Sequence, residues 1–251
     1  MKKNTILSTL AVSAMFLFQI QCTMIQKDKE TRQIELAFLK DDSLTQARFE
    51  NLVLLDSSKF TLPVGYQKFQ LFRFGKRLVR VFTTNSKKTT QMTIAESSIF
   101  DNWLMAIDSC LDLSPNNKSK WIAMNPILDL VNNNATGEMG QILLSTDLKD
   151  NAETVKKYTD CHRPENLWPE VLNAFNVSGY RSLRILVGSR YVVLTEDFPV
   201  NRSKHEMDSL FDNSSLRMKD WGVLMDNFQQ APPNAAGGNW VVLQSLITIK
   251  K

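Results

Sequence analysis

The feature that most constrains the fold of this chain is a set of short similarities that recur in the same order in its two halves. Any single match of this length can arise by chance, but the shared order indicates an internal duplication. The matches are Ile34-Glu35-Leu36 with Ile142-Leu143-Leu144, Leu39-Lys40-Asp41 with Leu148-Lys149-Asp150, Glu50-Asn51-Leu52 with Glu165-Asn166-Leu167, Gly65-Tyr66 with Gly179-Tyr180, Gly75-Lys76-Arg77 with Gly188-Ser189-Arg190, Ser98-Ile99-Phe100-Asp101-Asn102 with Ser209-Leu210-Phe211-Asp212-Asn213, and Trp121-Ile122 with Trp240-Val241. We therefore predict two similar units, over residues 34–134 and 142–251.

Each predicted unit begins with an apolar segment that is typical of a strand, over residues 34–39 and 142–146. Asp42 follows the first segment and Asn151 the second, and short side-chain acceptors of this kind cap helices. A hairpin is predicted next, because two runs rich in Val, Phe and Leu flank a turn that contains glycine. These runs are residues 69–74 and 77–84 in the first unit, and residues 183–187 and 190–195 in the second.

A second helix is predicted over residues 98–111, with residues 209–228 as its less regular counterpart. Four apolar side chains of the first of these segments fall on one helical face: Ile99, Trp103, Ile107 and Leu111. A strand that begins with tryptophan closes each unit. The order strand, helix, strand, strand, helix, strand predicts an α+β fold of the ferredoxin-like kind, with antiparallel sheets and helices on one face.

The N-terminus has the pattern of an export signal. Lys2 and Lys3 precede an apolar run over residues 6–18, and Cys22 follows soon after. The run is shorter than the roughly 20 apolar residues that span a bilayer. The arrangement resembles the precursor of a bacterial lipoprotein, and the bulky residues before Cys22 resemble the relaxed signals of spirochaetes.

This resemblance implies that residues 1–21 are removed as a signal peptide and that Cys22 is acylated, for example with palmitate. Residues 22–33 would then form a polar tether. Two alternatives stay open, namely ordinary signal cleavage without a lipid and an uncleaved anchor.

If Cys22 carries a lipid, Cys110 and Cys161 remain as a pair. In an exported protein such a pair predicts a disulfide bond. The alternative is two separate buried thiols, because the sequence does not give the distance between the two α-carbons.

Composition and motifs exclude several classes of function. The chain has 30 Lys and Arg against 26 Asp and Glu, so a basic face for nucleic acid is not expected. His162 and His205 are the two histidines of the sequence, and neither belongs to a recognisable catalytic motif. Asp160-Cys161-His162 lacks the spacing of a metal site, and His205 is expected on the surface. No cofactor, metal or catalytic residue is therefore predicted.

The sequence thus favours a lipoprotein of the cell envelope, in or on the outer membrane, with a non-catalytic binding or scaffolding role. Its expected partners are the lipid bilayer, through Cys22, and a protein of the envelope or of a host. Two alternatives are an exported hydrolase with an unrecognised site and a surface adhesin.

Overall fold

The computed structural model describes residues 30–85, 99–114 and 119–251. The first part of the chain forms β1 (Glu30–Phe38), α1 (Ser43–Val53), a short 3₁₀ turn (Ser57–Lys59), β2 (Tyr66–Phe74), β3 (Arg77–Asn85), α2 (Ile99–Ser109), β4 (Ile122–Ala123) and β5 (Asn125–Val131). The second part forms β6 (Met139–Leu148), α3 (Ala152–Cys161), α4 (Pro169–Ser178), β7 (Ser182–Gly188), β8 (Tyr191–Pro199), α5 (Lys204–Asp212), α6 (Leu216–Phe228), β9 (Gln229–Gln230), β10 (Val241–Val242) and β11 (Gln244–Lys250).

The described strands form two sheets. The first sheet has the order β11-β2-β3-β1-β4, and the second has the order β10-β6-β8-β7-β5, with β9 also paired to β6. Every pairing between these strands is antiparallel. The predicted α+β fold with antiparallel sheets is therefore confirmed.

The two halves of the chain exchange their last strands. β4 pairs with β1 of the first sheet, but β5 directly after it pairs with β7 of the second sheet. In the same way β10 pairs with β6, whereas β11 pairs with β2 of the first sheet. The predicted units 34–134 and 142–251 thus each contribute strands to both sheets.

Alternation along the strands produces four layers, because successive side chains point to opposite faces of a sheet. Ile34, Leu36 and Val81 of the first sheet pack against Leu143 and Val193 of the second. The opposite face of each sheet is covered by helices, α1 and α2 on the first and α3 to α6 on the second. The sequence of layers is helices, sheet, sheet, helices.

Two ion pairs join the sheets across the apolar layer between them. Arg77 Nη2 of β3 lies 2.5 Å from Asp147 Oδ1 of β6, and both side chains are buried. Arg32 Nη1 of β1 lies 2.7 Å from Asp197 Oδ2 of β8.

The two halves contain equivalent hydrogen bonds at equivalent positions. Both predicted caps are confirmed, since Asp42 accepts from the Thr45 amide at 2.7 Å and Asn151 accepts from the Thr154 amide at 2.8 Å. Four further bonds form two matched pairs: Leu39 N to Lys76 O with Leu148 N to Arg190 O, and Lys40 N to Cys110 O with Lys149 N to Phe228 O. These bonds give a residue-by-residue match between the halves.

The match corrects two sequence pairings. Cys110 directly follows α2 and Phe228 ends α6, so α6 is the counterpart of α2. Segment 209–228 contains two helices, α5 and α6, and the similarity of residues 209–213 to residues 98–102 does not reflect equivalent positions. In the hairpins, Gly75 matches Ser189 and not Gly188, because both residues have a left-handed φ of 56° at the turn.

The two cysteines of the predicted disulfide are free thiols. Cys110 lies in the core between α1, α2 and the first sheet, whereas Cys161 packs against the core below the second sheet. Because the two sheets lie between these cores, the predicted bond is absent from the structure.

The predicted signal peptide and Cys22 lie outside the described residues, so acylation of Cys22 stays a prediction. β1 begins at Glu30, which places the last residues of the predicted tether in a strand. None of the helices in the described ranges is long and apolar enough to cross a bilayer.

Candidate active site

Tyr158 and His162 form the centre of the candidate site, one helical turn apart at the end of α3. The Asn151 cap sets where this helix begins, and His162 is its C-cap residue. Residues four apart on a helix are neighbours on its surface, and here the two ring centroids are 4.4 Å apart. Both side chains face the core, with relative exposures of 0% for Tyr158 and 2% for His162.

The backbone fixes the tautomer of the His162 imidazole. Nδ1 lies 2.8 Å from the carbonyl oxygen of Tyr158, and a carbonyl oxygen only accepts hydrogen bonds. Nδ1 therefore carries the proton in the neutral ring, which leaves Nε2 as the basic nitrogen. Burial lowers the pKa of His162 to about 4, so the ring is neutral at physiological pH.

Aromatic rings enclose this histidine. Trp221 of α6 stands edge-on to it, with ring centroids 5.4 Å apart and an interplanar angle of 79°. Trp168, just before α4, lies 5.4 Å from the Trp221 ring in the same manner. Phe228 stands edge-on to Tyr158 at 6.3 Å. The site is thus a basic nitrogen in an aromatic environment of low polarity.

Tyr158 is held in its neutral form. Burial raises the pKa of its phenol well above the ordinary value, and a hydrogen bond with the Gln229 side chain opposes this only in part. Gln229 is 5% exposed and pairs with Leu148 through β9. The phenol is therefore a hydrogen-bonding group and not a source of negative charge.

A second cluster of polar side chains lies on the same face of the second sheet, next to α5. The Tyr180 hydroxyl donates a hydrogen bond to the Asp208 carboxylate. Lys204 Nζ lies 2.7 Å from Asp208 Oδ2 and 3.0 Å from Glu196 Oε2. Burial raises the pKa of Glu196, and the nearby Lys204 opposes this shift. The pKa of Lys204 is raised because the attraction of Glu196 and Asp208 outweighs the effect of its own burial.

The first half of the chain lacks the groups of this site. By the hydrogen-bond match, Phe49 corresponds to Tyr158 and Val53 to His162, since each pair stands equally far from the caps Asp42 and Asn151. Trp103 and Leu111 similarly correspond to Trp221 and Gln229. The histidine and its phenol partner therefore belong to the second half only.

The sequence patterns do not reveal this site. His162 belongs to no recognisable catalytic motif, and the triplet Asp160-Cys161-His162 lacks the spacing of a metal site, whereas the relevant partner of His162 is Tyr158. The signal that could have found it is a tyrosine and a histidine four residues apart on a helix that starts with a good cap. His205 is exposed, as expected, and Cys161 beside His162 is a half-buried thiol whose pKa is raised by burial.

Within the part of the chain that the structure describes, no three His, Cys, Asp or Glu side chains converge on a point where a metal ion could bind.

Comparison with known proteins finds relatives of the segment that contains the candidate site. The L-rhamnose mutarotase family matches residues 141–247. L-fucose mutarotase of Xanthomonas campestris pv. campestris is 32% identical over 105 residues, which covers 40% of this chain and 79% of that protein.

These similarities correct the functional expectation from the sequence. The expectation of a membrane-anchored lipoprotein with a non-catalytic binding role is wrong, because the matched proteins are sugar mutarotases and hence enzymes. The alternatives of a hydrolase or an adhesin receive no support from them either. The physical reason for the error is that the centre of the candidate site is a single buried histidine, which does not form a recognisable catalytic motif in the sequence.

Solved structures resemble the chain only loosely. The crystal structure of an anthrone oxidase-like protein aligns with a TM-score of 0.45 and 12% identity over 89% of this chain and 94% of that one. A monooxygenase-like protein from Listeria innocua aligns with a TM-score of 0.36 and 8% identity over 85% and 92% of the two chains. Neither likeness bears on activity.

The matched segment contains all the members of the candidate site described above, from Tyr158 and His162 to Trp221 and Gln229. By its second half, this chain belongs to the L-rhamnose mutarotase family.

Proposed function

We propose that this protein catalyses mutarotation, the interconversion of the α and β anomers, of a 6-deoxyhexose such as L-rhamnose or L-fucose. The observation that carries the proposal is the fixed tautomer of His162, with Nδ1–H donating to the Tyr158 carbonyl and Nε2 left basic. Family membership of the surrounding segment supports it.

Mutarotation requires one proton to move between two oxygens of the sugar. The anomeric hydroxyl loses its proton, the bond between C1 and the ring oxygen breaks, and the ring oxygen gains a proton to give the open-chain aldehyde. Rotation about the C1–C2 bond and the reverse steps then close the ring on the other face of the carbonyl. No oxidant, reductant or net proton is needed.

His162 can carry this proton. Neutral Nε2 accepts it from the anomeric hydroxyl, and the imidazolium then returns it to the ring oxygen. The lowered pKa of about 4 makes this imidazolium a stronger acid than ordinary histidine, which favours the second transfer. The bond from Nδ1 to the Tyr158 carbonyl keeps Nε2 pointed away from its own helix throughout.

The aromatic side chains suit a deoxysugar. Trp221 and Trp168 offer apolar surface for the C–H groups and the methyl group of such a sugar, and they exclude water that would compete for the proton. The neutral phenol of Tyr158 adds a hydrogen-bonding group without bringing a charge into the site.

The test is the rate of anomer exchange, measured by saturation-transfer NMR with L-rhamnose and with L-fucose. His162→Gln should lower the catalysed rate by a factor of about 100 or more, the usual effect of losing a general acid–base group. His205→Gln is the matched control, because His205 is exposed and outside the site, and it should keep the full rate. A folded His162→Gln variant with the wild-type rate, or a wild-type protein that accelerates neither sugar, would refute the proposal.

A further inference from the structure

The basic nitrogen of His162 is covered in this structure. His162 is 2% exposed, and Trp221, which stands edge-on to it, is 8% exposed. A pyranose that contacts Nε2 must also contact the side chains around it, and these present almost no surface. Access of a sugar to the imidazole therefore requires one of the covering elements to move.

The exposure of the covering residues falls steadily from the surface toward the imidazole. Arg217, in the first turn of α6, has a side chain that is 58% exposed. Its guanidinium lies over the half-buried Trp168 ring, with Cζ 4.7 Å from the ring centroid. Behind Trp168 lie Trp221 and then His162, each contact having ring centroids 5.4 Å apart. Displacement of the outer residues would thus uncover the inner ones.

Arg217 connects α6 to the start of α4 in two ways. Besides its contact with Trp168, its Nη1 donates a hydrogen bond to Glu170 Oε1 at 3.0 Å. Glu170 lies in the first turn of α4, two residues after Trp168. We call Arg217, Glu170 and Trp168 the latch. Ion pairs at the surface contribute little free energy, so the latch can break without unfolding the protein.

The closed arrangement leaves polar atoms near the latch without partners. Glu170 Oε2, Ser214 Oγ and Ser215 Oγ are buried and have no hydrogen-bond partner within the described protein. Ser215 is the N-cap residue of α6, yet its side chain makes no capping bond. Unpartnered buried oxygens destabilise the state that buries them, whereas water can satisfy them once α6 and α4 separate. Opening therefore relieves a cost that closure imposes.

The first half of the chain has the aromatic contact without the latch. Phe60 packs on Trp103 with ring centroids 5.0 Å apart, in the manner of the two tryptophans of the second half. Trp103 matches Trp221, and the residue four positions before it is Ile99, where the second half has Arg217. Ile99 is exposed, and an isoleucine cannot form an ion pair. The charged contact accompanies the histidine, which indicates a role at the site and not in the shared framework.

We propose that the latch of Arg217, Glu170 and Trp168 keeps the His162 site closed at rest, and that separation of α6 from α4 opens it. That the molecule admitted is a sugar rests on the proposed mutarotase function, whereas the opening itself is argued from burial. The fraction of molecules with an accessible His162 equals the population of the open state. A change that weakens the latch should therefore raise this population.

Diethyl pyrocarbonate measures this population independently of enzymatic activity, because it acylates neutral imidazole nitrogens that it can reach. The full chain is treated, and peptide mass spectrometry follows His162, with the exposed His205 as the internal reference. In wild type, His162 should react about tenfold more slowly than His205, or slower still. Glu170→Gln should raise the rate at His162 roughly twofold to fivefold, because it weakens the ion pair alone. Arg217→Met should raise it roughly fivefold to tenfold, because it also removes the cation–π contact.

Three controls separate opening of the latch from other effects. Lys157→Met removes an exposed ion pair with Glu153 within α3, and should leave the rate at His162 unchanged. High salt should raise the rate at His162 in wild type but not in Arg217→Met, because salt screens the ion pair. Reaction of the fully buried Cys110 with iodoacetamide reports global unfolding, and should be equally slow in every variant.

The latch would be overturned by a wild-type His162 that reacts as fast as His205, by unchanged rates in both latch variants, or by a rise in rate that Cys110 shares. Failure of the proposed function is visible separately. Saturating L-rhamnose should protect His162 from the reagent in wild type and in Arg217→Met. A protein that neither exchanges anomers nor shows this protection, but has the expected rates at His162, would refute the mutarotase proposal and still support the latch.

Discussion

Phe49 in α1 occupies the position in the first half of the chain that Tyr158 of α3 occupies in the second, and both side chains are fully buried. The two helices begin with equivalent caps and lie against equivalent strands, so the surroundings of the two rings differ mainly in polarity. The Tyr158 phenol meets Gln229, whereas the residue matched to Gln229 in the first half is the apolar Leu111. The first half thus keeps the framework of the site without its chemistry.

This relationship predicts that exchanging the two residue types, in either half, destabilises the protein. Tyr158→Phe should lower the free energy of unfolding by about 1 kcal/mol, because it leaves the buried Gln229 amide without its partner. Phe49→Tyr should cost about 1–3 kcal/mol, because the new hydroxyl enters an apolar core beside Leu111. Urea unfolding measures both. A Phe49→Tyr variant as stable as wild type would mean that the two cores are not equivalent in the way the hydrogen-bond match indicates.

Burial of His162 predicts a loss of stability in mild acid. Its pKa is about 4 in the folded protein and about 6.5 when unfolded, so the unfolded state binds more protons between these values. The contribution of the neutral ring is fully present above pH 6.5 and is lost as the pH falls toward 4, by about 3 kcal/mol in total.

The measurement is urea unfolding at several pH values for wild type and for His162→Gln. Glu196 and Asp212, whose pKa values burial raises, contribute the opposite slope, but they are common to both proteins and cancel in the difference. The difference between the two curves should shrink steadily from pH 6.5 downward. A difference that is constant with pH would show that His162 does not titrate on unfolding.

The free thiols predict a specific pattern of alkylation. In the folded protein Cys110 should resist iodoacetamide, because its exposure is 0%, and Cys161 should react slowly, because burial raises its pKa. In denaturant without a reductant, peptide mass mapping should find both residues alkylated. Recovery of a linked Cys110–Cys161 peptide would instead restore the disulfide that the sequence suggested.

Local patterns predicted the elements of this fold better than their arrangement. Asp42 and Asn151 cap helices as expected, because a cap involves only the next three residues. The exchange of β5 and β11 could not be predicted from the sequence, because the residue pattern of an apolar strand does not determine which sheet it pairs with.

The candidate site was hidden for a related reason. Tyr158, His162, Trp221 and Gln229 come from α3, α6 and β9, and they meet only because both helices cover the same sheet. Taken singly, each residue has the pattern of an ordinary core or surface position, and only the Tyr158–His162 spacing is local.

The ion pair between Arg77 and Asp147 predicts how strongly the two sheets depend on each other. Arg77 Nη1 also donates to Ser145 Oγ at 2.7 Å, so the guanidinium is fixed by two partners of β6. Arg77→Met should destabilise the protein by about 3–5 kcal/mol, because it leaves Asp147 charged, buried and unpaired. The double variant Arg77→Met with Asp147→Leu should recover much of this loss, since it removes both buried charges.

Lys76→Ala is the matched control, because its pairing with Asp41 is exposed and should be worth less than about 1 kcal/mol. Urea unfolding of the three variants decides the matter, and a double variant no more stable than Arg77→Met would show that the charges are not the source of the loss.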